Sequence, residues 1–203
     1  NTVAVECRAG PGAVVRSTAP GLPDEAFVHD GQITKREVRA ATVAALMPLP
    51  GQLLWDVGAG CGSIAIEWMR STRGCEAIAF ESHAERLKMI AANADGLGTP
   101  RLKTIAGIAP ASFAGQPTPD AVFIGGGLGD AGVFDAAWAA LRPGGRMVVN
   151  VVTLEGELHL VDLQEKHGGD LVRMEISNLA YVGPFRALKP RMAVLQWRTL
   201  KPW

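Results

Sequence analysis

The 203-residue sequence has few cysteines, few aromatic residues and no excess of charge of either sign. Its three cysteines, Cys7, Cys61 and Cys75, are scattered and odd in number. That pattern argues against a disulfide framework and favours a reducing, cytoplasmic compartment. Lysine plus arginine and aspartate plus glutamate both number 20, and aromatic residues make up 6% of the chain. A nucleic-acid partner is therefore not expected, because no basic field or aromatic-rich stripe is present to bind one.

The sequence also lacks an apolar run long enough to span a bilayer, and it shows no signal peptide, so no membrane partner is expected. No metal is expected either, because neither the cysteines nor the four histidines have the spacing of a metal-ligand pair. The 48% of residues that are hydrophobic are enough for one sizeable core. These limits fit a single enzyme-sized domain.

Strand-like and helix-like segments alternate along the chain, which predicts an α/β fold with a mostly parallel sheet. Residues 1–22 are rich in glycine, proline and small residues and predict a linker or N-terminal arm, leaving 23–203 as one domain. The capping-box pattern Thr34-Lys35-Arg36-Glu37 predicts a helix that runs to about Met47. Near the C-terminus, the pattern predicts two strands, 171–182 and 191–199, around a loop at 183–190.

The most informative segment is 53–68, where an apolar strand ends at Asp56-Val57, a glycine loop follows, and a helix begins at Ser63. This arrangement is typical of a nucleotide-sized site in an open α/β sheet. A dinucleotide fingerprint requires a third glycine at position 63, so a NAD(P)-dependent oxidoreductase is disfavoured. The G-x-G-x-G spacing, with Asp56 two residues before it, instead resembles the first motif of Rossmann-like S-adenosylmethionine-dependent methyltransferases.

Further segments of the sequence indicate one family within this class of methyltransferases. The chain resembles the decarboxylating precorrin methyltransferases of cobalamin biosynthesis, in particular the C-terminal domain of their bifunctional members. The resemblance covers about residues 22–199. Two of its segments are common to many methyltransferases, whereas DGQITKREVR and NVVTLE are more specific to this family. The segments that carry it are Asp30–Arg39, Trp55–Gly62, Ile124–Gly127, Arg142–Gly145 and Asn150–Glu155.

The resemblance implies a class I methyltransferase fold with a seven-stranded sheet and an antiparallel C-terminal strand. It implies methylation at C15 of a precorrin intermediate (of the precorrin-7 or precorrin-6B type) coupled to decarboxylation of the C12 acetate. The cofactor would be S-adenosylmethionine, the product S-adenosylhomocysteine, and no metal would be needed. The implied partners are an N-terminal methyltransferase domain in a longer chain and further copies of this chain in a homotetramer.

The resemblance also assigns cofactor contacts. The glycine loop would wrap the methionine and ribose, Asp56 would support that loop, and Thr34 would lie near the methionine end. Glu81, at the end of the second strand, would accept the ribose hydroxyls. Ile108 stands where many relatives carry an acid, so the adenine contact there would be made by packing or by backbone. The full cofactor set is Thr34, Asp56, Gly58, Ala59, Gly60, Cys61, Gly62, Glu81, Gly107, Ile108 and Ala109.

Substrate and catalytic candidates come from charge and position. A precorrin carries many carboxylates, so basic residues near the two ends of the domain are candidate anchors. Gly125–Gly127 would provide an open backbone floor for a flat macrocycle. The candidate anchors are Lys35, Arg36, Arg39, Arg186, Lys189 and Arg191, and the candidate catalytic residues are His29, Asn150, Glu155 and Tyr181.

Two other functions are compatible with the glycine loop. An RNA or tRNA methyltransferase shares the fold, although the neutral charge and few aromatic residues count against it. A domain that binds the cofactor without catalysis is the non-enzymatic alternative, because the expected chemistry needs no single indispensable side chain. Cofactor affinity without turnover would favour the latter, and salt-sensitive RNA binding the former.

Overall fold

Helices and strands alternate through most of the chain in the computed structural model, which describes residues 1–203. The helices are α1 (Arg36–Leu46), α2 (Ser63–Ser71), α3 (Ala84–Gly96), α4 (Val133–Ala140) and α5 (Leu154–His167). The strands are β1 (Leu53–Val57), β2 (Glu76–Glu81), β3 (Lys103–Ala106), β4 (Ala121–Ile124), β5 (Arg146–Val151), β6 (Asp170–Met174), β7 (Ser177–Val182), β8 (Phe185–Pro190) and β9 (Val194–Leu200). None of the helices combines the length and the apolar character needed to cross a membrane.

Seven strands form one sheet in the order β3-β2-β1-β4-β5-β9-β6. Strands β1 to β5 are parallel, and β9 runs antiparallel to both of its neighbours. The predicted α/β fold, with a mostly parallel seven-stranded sheet and an antiparallel C-terminal strand, is confirmed. The chain moves outward from β1 to β3 and then returns to β4 on the other side of β1. The strand order therefore reverses between β1 and β4, and such a reversal opens a crevice at the carboxyl ends of the strands.

Each face of the sheet has its own core, because successive side chains of a strand point to opposite faces. In β4, Val122 and Ile124 pack in the core that α4 and α5 cover, whereas Ala121 and Phe123 pack in the core that α1 and α2 cover. Helices on both faces explain why the central strands are nearly continuous apolar runs. The two cores hold the strand ends, and hence the loops beyond them, in fixed positions.

A buried ion pair joins α1 to α2 and holds the segment that precedes α1. Arg39 Nε lies 2.6 Å from Glu67 Oε1, and both side chains are almost fully buried. Glu67 also accepts hydrogen bonds from the backbone N–H groups of Gly21 (2.6 Å) and Leu22 (2.9 Å). Arg39 in turn donates to Asp24 (3.0 Å) and to the Leu22 carbonyl. Leu22 is thus fixed to the domain, while residues 1–19 are exposed and form no helix or strand.

The helix α1 begins differently from the sequence prediction. Lys35 occupies the N-cap position and no side chain caps the helix, so the prediction of a capping box starting at Thr34 is wrong. The Thr34 carbonyl instead accepts a hydrogen bond from Arg39 Nη1 (2.5 Å), which holds the chain before α1 against the helix. Thr34 therefore lies one residue too early to serve as the cap.

The C-terminal region contains more strands than the sequence predicted. Residues 183–190, predicted as a loop, are largely β8, which pairs antiparallel with β7 in a separate two-stranded sheet. The register, in which Val182 lies opposite Phe185, leaves only Gly183 and Pro184 as the turn. A glycine at φ +58° suits such a tight turn. The predicted strand 171–182 is likewise two strands, β6 and β7, which belong to different sheets.

Candidate functional site

A cavity of about 1300 Å³ lies along the carboxyl ends of the parallel strands. It extends from Glu81 at the end of β2, across the loops after β1 and β4, to Asn150 at the end of β5. The segment Gly31–Lys35 lines one wall, and residues of the β7–β8 hairpin line another. Single-ligand pockets usually measure about 300–1,000 Å³. This cavity therefore has room for a nucleotide-sized cofactor and a second ligand beside it.

The loop after β1 passes directly against the loop after β4. Gly58 has φ +70°, and a Cβ atom placed on it would lie 2.8 Å from the Cα atom of Gly126. No side chain fits there, so both backbones form the floor of the cavity where the strand order reverses. The thiol of Cys61 is buried, and burial raises its pKa, so Cys61 is held as the neutral thiol.

Glu81 is a buried carboxylate at the tip of β2 and faces the cavity. Its Oε2 accepts one hydrogen bond, from the Gly60 N–H (2.9 Å). Its Oε1 accepts three, from the backbone N–H groups of Ser82 and His83 and from the ring Nδ1 of His83, each at 2.9 Å. Burial pushes the pKa of Glu81 upward, but these hydrogen bonds outweigh burial and leave the pKa below its usual value. Each carboxylate oxygen has two lone pairs, so Oε2 keeps one acceptor position for a ligand hydroxyl.

Asp56 lies beneath the glycine loop rather than on the cavity wall. It is almost fully buried, its Oδ2 accepts a hydrogen bond from the Ala65 N–H (3.0 Å), and its Oδ1 has no hydrogen-bond partner. Burial raises its pKa from 3.8 to about 7; the bond from Ala65 opposes this shift, and the nearby charge of Glu81 adds to it. Asp56 therefore supports the first turn of α2, and its carboxyl group exchanges its proton near neutral pH.

The far half of the cavity begins at the glycines after β4. Gly125, Gly126 and Gly127 line it, as do Asn150 and Glu155 beyond β5. The side chain of Asn150 is hydrogen-bonded within the protein at both ends. Its Nδ2 donates to Thr42 Oγ1 (2.9 Å), and its Oδ1 accepts from Gln196 Nε2 (2.9 Å). Asn150 thus ties β5 to α1 and β9.

This half combines apolar walls with two cationic residues. Lys189 and Arg191 lie on the wall, and Arg191 forms a partly exposed ion pair with Glu37 (3.3 Å). Cations beside an apolar surface suit a ligand that is flat, apolar in its centre and carboxylated at its edge. The apolar lining residues of this half are Val151, Val152, Met174, Ile176, Leu179, Met192 and Val194.

Most of the cofactor candidates from the sequence come together on the cavity wall. Asp56 and Gly62 stand behind the wall, and Gly62 serves as the N-cap residue of α2. Ile108 is exposed on the wall just beyond the end of β3, where its apolar side chain is available for packing. The candidates that line the cavity are Thr34, Gly58, Ala59, Gly60, Cys61, Glu81, Gly107, Ile108 and Ala109.

Five of the substrate and catalytic candidates do not line the cavity. Arg39 is fully buried, and four of its five N–H donors are bonded to Glu67, Asp24, Thr34 and Leu22, which corrects its assignment as a substrate anchor. Arg36 lies against the N-terminal segment on another surface. Tyr181 and Arg186 face each other across the β7–β8 hairpin, away from the cavity. The ring of His29 accepts a hydrogen bond from Gly31 N (3.0 Å) outside the cavity.

The structure adds cavity residues that the sequence reasoning missed. Arg86, on α3, donates to Asp30 Oδ2 (2.9 Å) and Gln32 Oε1 (2.5 Å), and thereby ties the segment before α1 over the glycine loop. His83 was detectable from its position two residues after Glu81. No motif in the sequence marks His159 as a cavity residue, because only the packing of α5 turns this side chain towards the cavity.

Comparison with known proteins identifies the family to which this site belongs. The profile of the precorrin methyltransferase domain matches residues 25–201. The chain belongs to this family. The family resemblance inferred from the sequence is therefore confirmed.

Named relatives of the family align over most of the chain. It is 47% identical over 201 residues to precorrin-6Y C(5,15)-methyltransferase (decarboxylating) of Sinorhizobium sp, covering 99% of this chain and 49% of that protein. It is 31% identical to cobalt-precorrin-6B C(15)-methyltransferase (decarboxylating) of Salmonella typhimurium, covering 85% of this chain and 92% of that one. The crystal structure of the C-terminal domain of precorrin-6Y C5,15-methyltransferase from Rhodobacter capsulatus superimposes with a TM-score of 0.86, at 45% identity and coverage of 92% and 100%. The chain thus spans about half the length of its precorrin-6Y relative.

Replacing Asp56 with asparagine is expected to change how stability depends on pH. The pKa of Asp56 is about 7 in the folded protein and its ordinary value is 3.8, so the folded state binds more protons between these values. Wild-type stability should therefore fall as the pH rises from about 4 to about 7, whereas asparagine does not titrate. As the pH rises through this range, urea denaturation should show the free energy of unfolding of the variant increasing relative to that of wild type, by a few kcal/mol. The exposed Asp95→Asn variant is the control, and a pH-independent difference for Asp56→Asn would contradict the raised pKa.

Replacing Glu81 with glutamine is expected to weaken binding of S-adenosylhomocysteine. The amide keeps the size of the side chain but removes the negative charge that strengthens hydrogen bonds to ligand hydroxyls. A loss of about 1–3 kcal/mol in binding free energy should follow, measured by isothermal titration calorimetry. Glu85→Gln, at an exposed carboxylate on α3 that pairs with Lys88, is the matched control. Unchanged affinity in Glu81→Gln would contradict the prediction that Glu81 accepts hydrogen bonds from the ribose hydroxyls.

Proposed function

We propose that the chain methylates C15 of a precorrin intermediate of the precorrin-7 or precorrin-6B type and decarboxylates its C12 acetate side chain. The named relatives support the reaction class, since each is called a decarboxylating C15 or C5,15 methyltransferase. The observation that carries the proposal is one continuous cavity with two different halves. A glycine floor with an ionised acceptor lies at one end, and an apolar wall with two cations lies at the other.

The residues at the β1–β2 end fit S-adenosylmethionine as the cofactor. The backbone of Gly58–Cys61 can approach a ligand closely, Glu81 Oε2 has a free acceptor position, and Ile108 offers an apolar surface to an adenine. The side chain of His83 is 68% exposed, so it can leave Glu81 Oε1 and free a second acceptor position there. When bound, S-adenosylmethionine supplies an electrophilic methyl group, and S-adenosylhomocysteine is the product.

The chain's own residues mainly position the substrate and exclude water. The macrocycle supplies the electron-rich carbon, so alignment matters more than a strong protein nucleophile. Gly125–Gly127 let a flat ring approach the backbone, and Lys189, Arg191 and Lys35 bind its carboxylates. The apolar lining removes water from the acetate carboxylate, which favours departure of CO₂ while the electron pair of the broken C–C bond enters the conjugated system.

The proposal also includes a second domain in the same polypeptide and a cellular location. An N-terminal methyltransferase domain in the same polypeptide is its partner, which is supported by the 49% coverage of the Sinorhizobium relative and by the C-terminal domain from Rhodobacter capsulatus. The cytoplasm is the proposed location, because the exposed Cys7 and the buried Cys61 and Cys75 are all free, as is usual in a reducing compartment.

A homotetramer is the proposed assembly, and exposed apolar side chains support it. Leu179 and Leu188 lie opposite each other on the β7–β8 hairpin and are 61% and 73% exposed. On α5, Leu154, Leu158 and Val161 form an exposed stripe at the spacing of one helix face. Surfaces of this kind on soluble domains usually mark contacts with other proteins.

Turnover by the purified chain tests the proposed reaction. The chain is incubated with S-adenosylmethionine and a precorrin-6B or precorrin-7 preparation, and the tetrapyrrole is analysed by mass spectrometry. The expected product has gained one methyl group and lost one CO₂. The control reaction, with S-adenosylhomocysteine in place of S-adenosylmethionine, should show no methyl gain. An unchanged ring, together with normal cofactor binding, would overturn the substrate assignment and direct the search to RNA acceptors.

A charge on the hairpin is expected to disrupt the assembly. Leu188→Glu places a carboxylate on the proposed contact surface, where burial without a partner is costly. Light scattering should give a tetramer for wild type and a smaller species for the variant, while Leu49→Glu, at an exposed leucine before β1, should remain a tetramer. A monomeric wild type at micromolar concentration would contradict the proposal.

A further inference from the structure

His159 is the only imidazole on the cavity wall that makes no hydrogen bond to the protein. His83 also lines the cavity, but its ring is engaged by Glu81. The ring of His29 bonds to Gly31 N outside the cavity, and His167 packs beside Trp138 with 4.7 Å between the ring centroids. His159 is half-buried and has no hydrogen-bond or ion-pair partner in the protein, so it is available to a ligand.

His159 lies in the half of the cavity away from Gly58–Cys61 and Glu81. It lies in the second turn of α5, the helix that follows β5, and β5 is separated from β1 by β4. Leu160 and Leu163 of the same helix are buried in the core, which fixes the rotation of α5 and turns His159 to the cavity. Glu155, one turn earlier on α5, lines the same wall. The imidazole is therefore held on a rigid element beside the proposed substrate.

The proposed reaction requires a proton in this half of the cavity. When the C–C bond between the acetate methylene and its carboxylate breaks, CO₂ leaves and the electron pair enters the conjugated ring system. A new C–H bond must then form at the methylene carbon to give a methyl group. The ring carbon that gains the transferred methyl group gives up its own proton. One proton is thus donated and one is released in each turnover, so a single acid–base group can serve both steps.

Three other proton-bearing groups are less suited to this task. The Tyr181 hydroxyl does not line the cavity, and Cys61 lies in the cofactor half as a buried thiol. Arg191 remains protonated in proteins and cannot donate its proton. Histidine exchanges a proton near neutral pH, which is the property that a general acid and base needs.

We infer that His159 is a catalytic residue, which protonates the methylene carbon left by CO₂ and recovers a proton from the methylated ring carbon. This inference rests on the proposed function. The imidazolium gives its proton to carbon and becomes neutral imidazole, and the proton released at the methylated carbon restores the imidazolium. No oxidant, reductant or metal enters the balance.

Chemical rescue tests this role. His159→Ala should lower formation of the methylated, decarboxylated product by about 10²-fold or more, the usual contribution of a general acid. Affinity for S-adenosylhomocysteine should stay unchanged, because His159 lies outside the cofactor half. Added free imidazole should restore a large part of the lost product formation by entering the space that the side chain vacates. In D₂O, wild type should introduce one deuterium into the new methyl group on the ring that lost CO₂.

Glu165→Ala, at an exposed position on the same helix and outside the cavity, is the matched control. It should leave product formation within about twofold of wild type, as is usual for surface substitutions. Near-wild-type turnover by His159→Ala would overturn the inference, and so would a loss that imidazole does not restore in a variant that still binds the cofactor. A failure of the proposed function itself is distinguishable, because wild type would then leave the tetrapyrrole unchanged.

Discussion

The close passage of two backbones at the centre of the sheet is the constraint on which the site depends. Gly58, after β1, and Gly126, after β4, approach so closely that a Cβ atom on Gly58 would lie 2.8 Å from the Cα atom of Gly126. The two loops can meet only because β1 and β4 are adjacent parallel strands whose carboxyl ends lie at the same edge. Their contact forms the floor shared by both halves of the cavity, so the two halves are held in a fixed relation.

Buried carboxylates hold the parts around this floor, and each is stabilised in a different way. Glu67 is neutralised by Arg39 and anchors the segment before α1. Glu81 remains ionised because N–H groups and an imidazole surround it. Asp56 has one hydrogen bond and no cation, so burial shifts its pKa to about 7. The carboxylate that faces the cavity thus accepts four hydrogen bonds, while the carboxylate beneath the glycine loop accepts one.

The sequence predicted best what contiguous residues encode. The strand, glycine loop and helix around Gly58 form one local pattern, and the carboxylate of Glu81 follows at a spacing that the fold dictates. The buried position of Arg39 could not be predicted, because its partner Glu67 is 28 residues away and a lone arginine usually indicates a solvated surface. The β7–β8 hairpin was missed because Gly183 and Pro184 read as part of a longer loop. The orientation of His159 depends on how α5 packs, which no local pattern records.

The β7–β8 hairpin stands apart from the main sheet, since its two strands pair only with each other. A two-stranded ribbon of this kind is marginally stable in water without a covering partner. Yet the hairpin carries Asn178, Leu179 and Lys189 of the cavity wall and leaves Leu179 and Leu188 largely exposed. The hairpin side of the wall is therefore its least independently stable part, and any partner that covered these leucines would also set its shape. The geometry of the cavity would then depend on an association outside it, without a change in a single residue of the site.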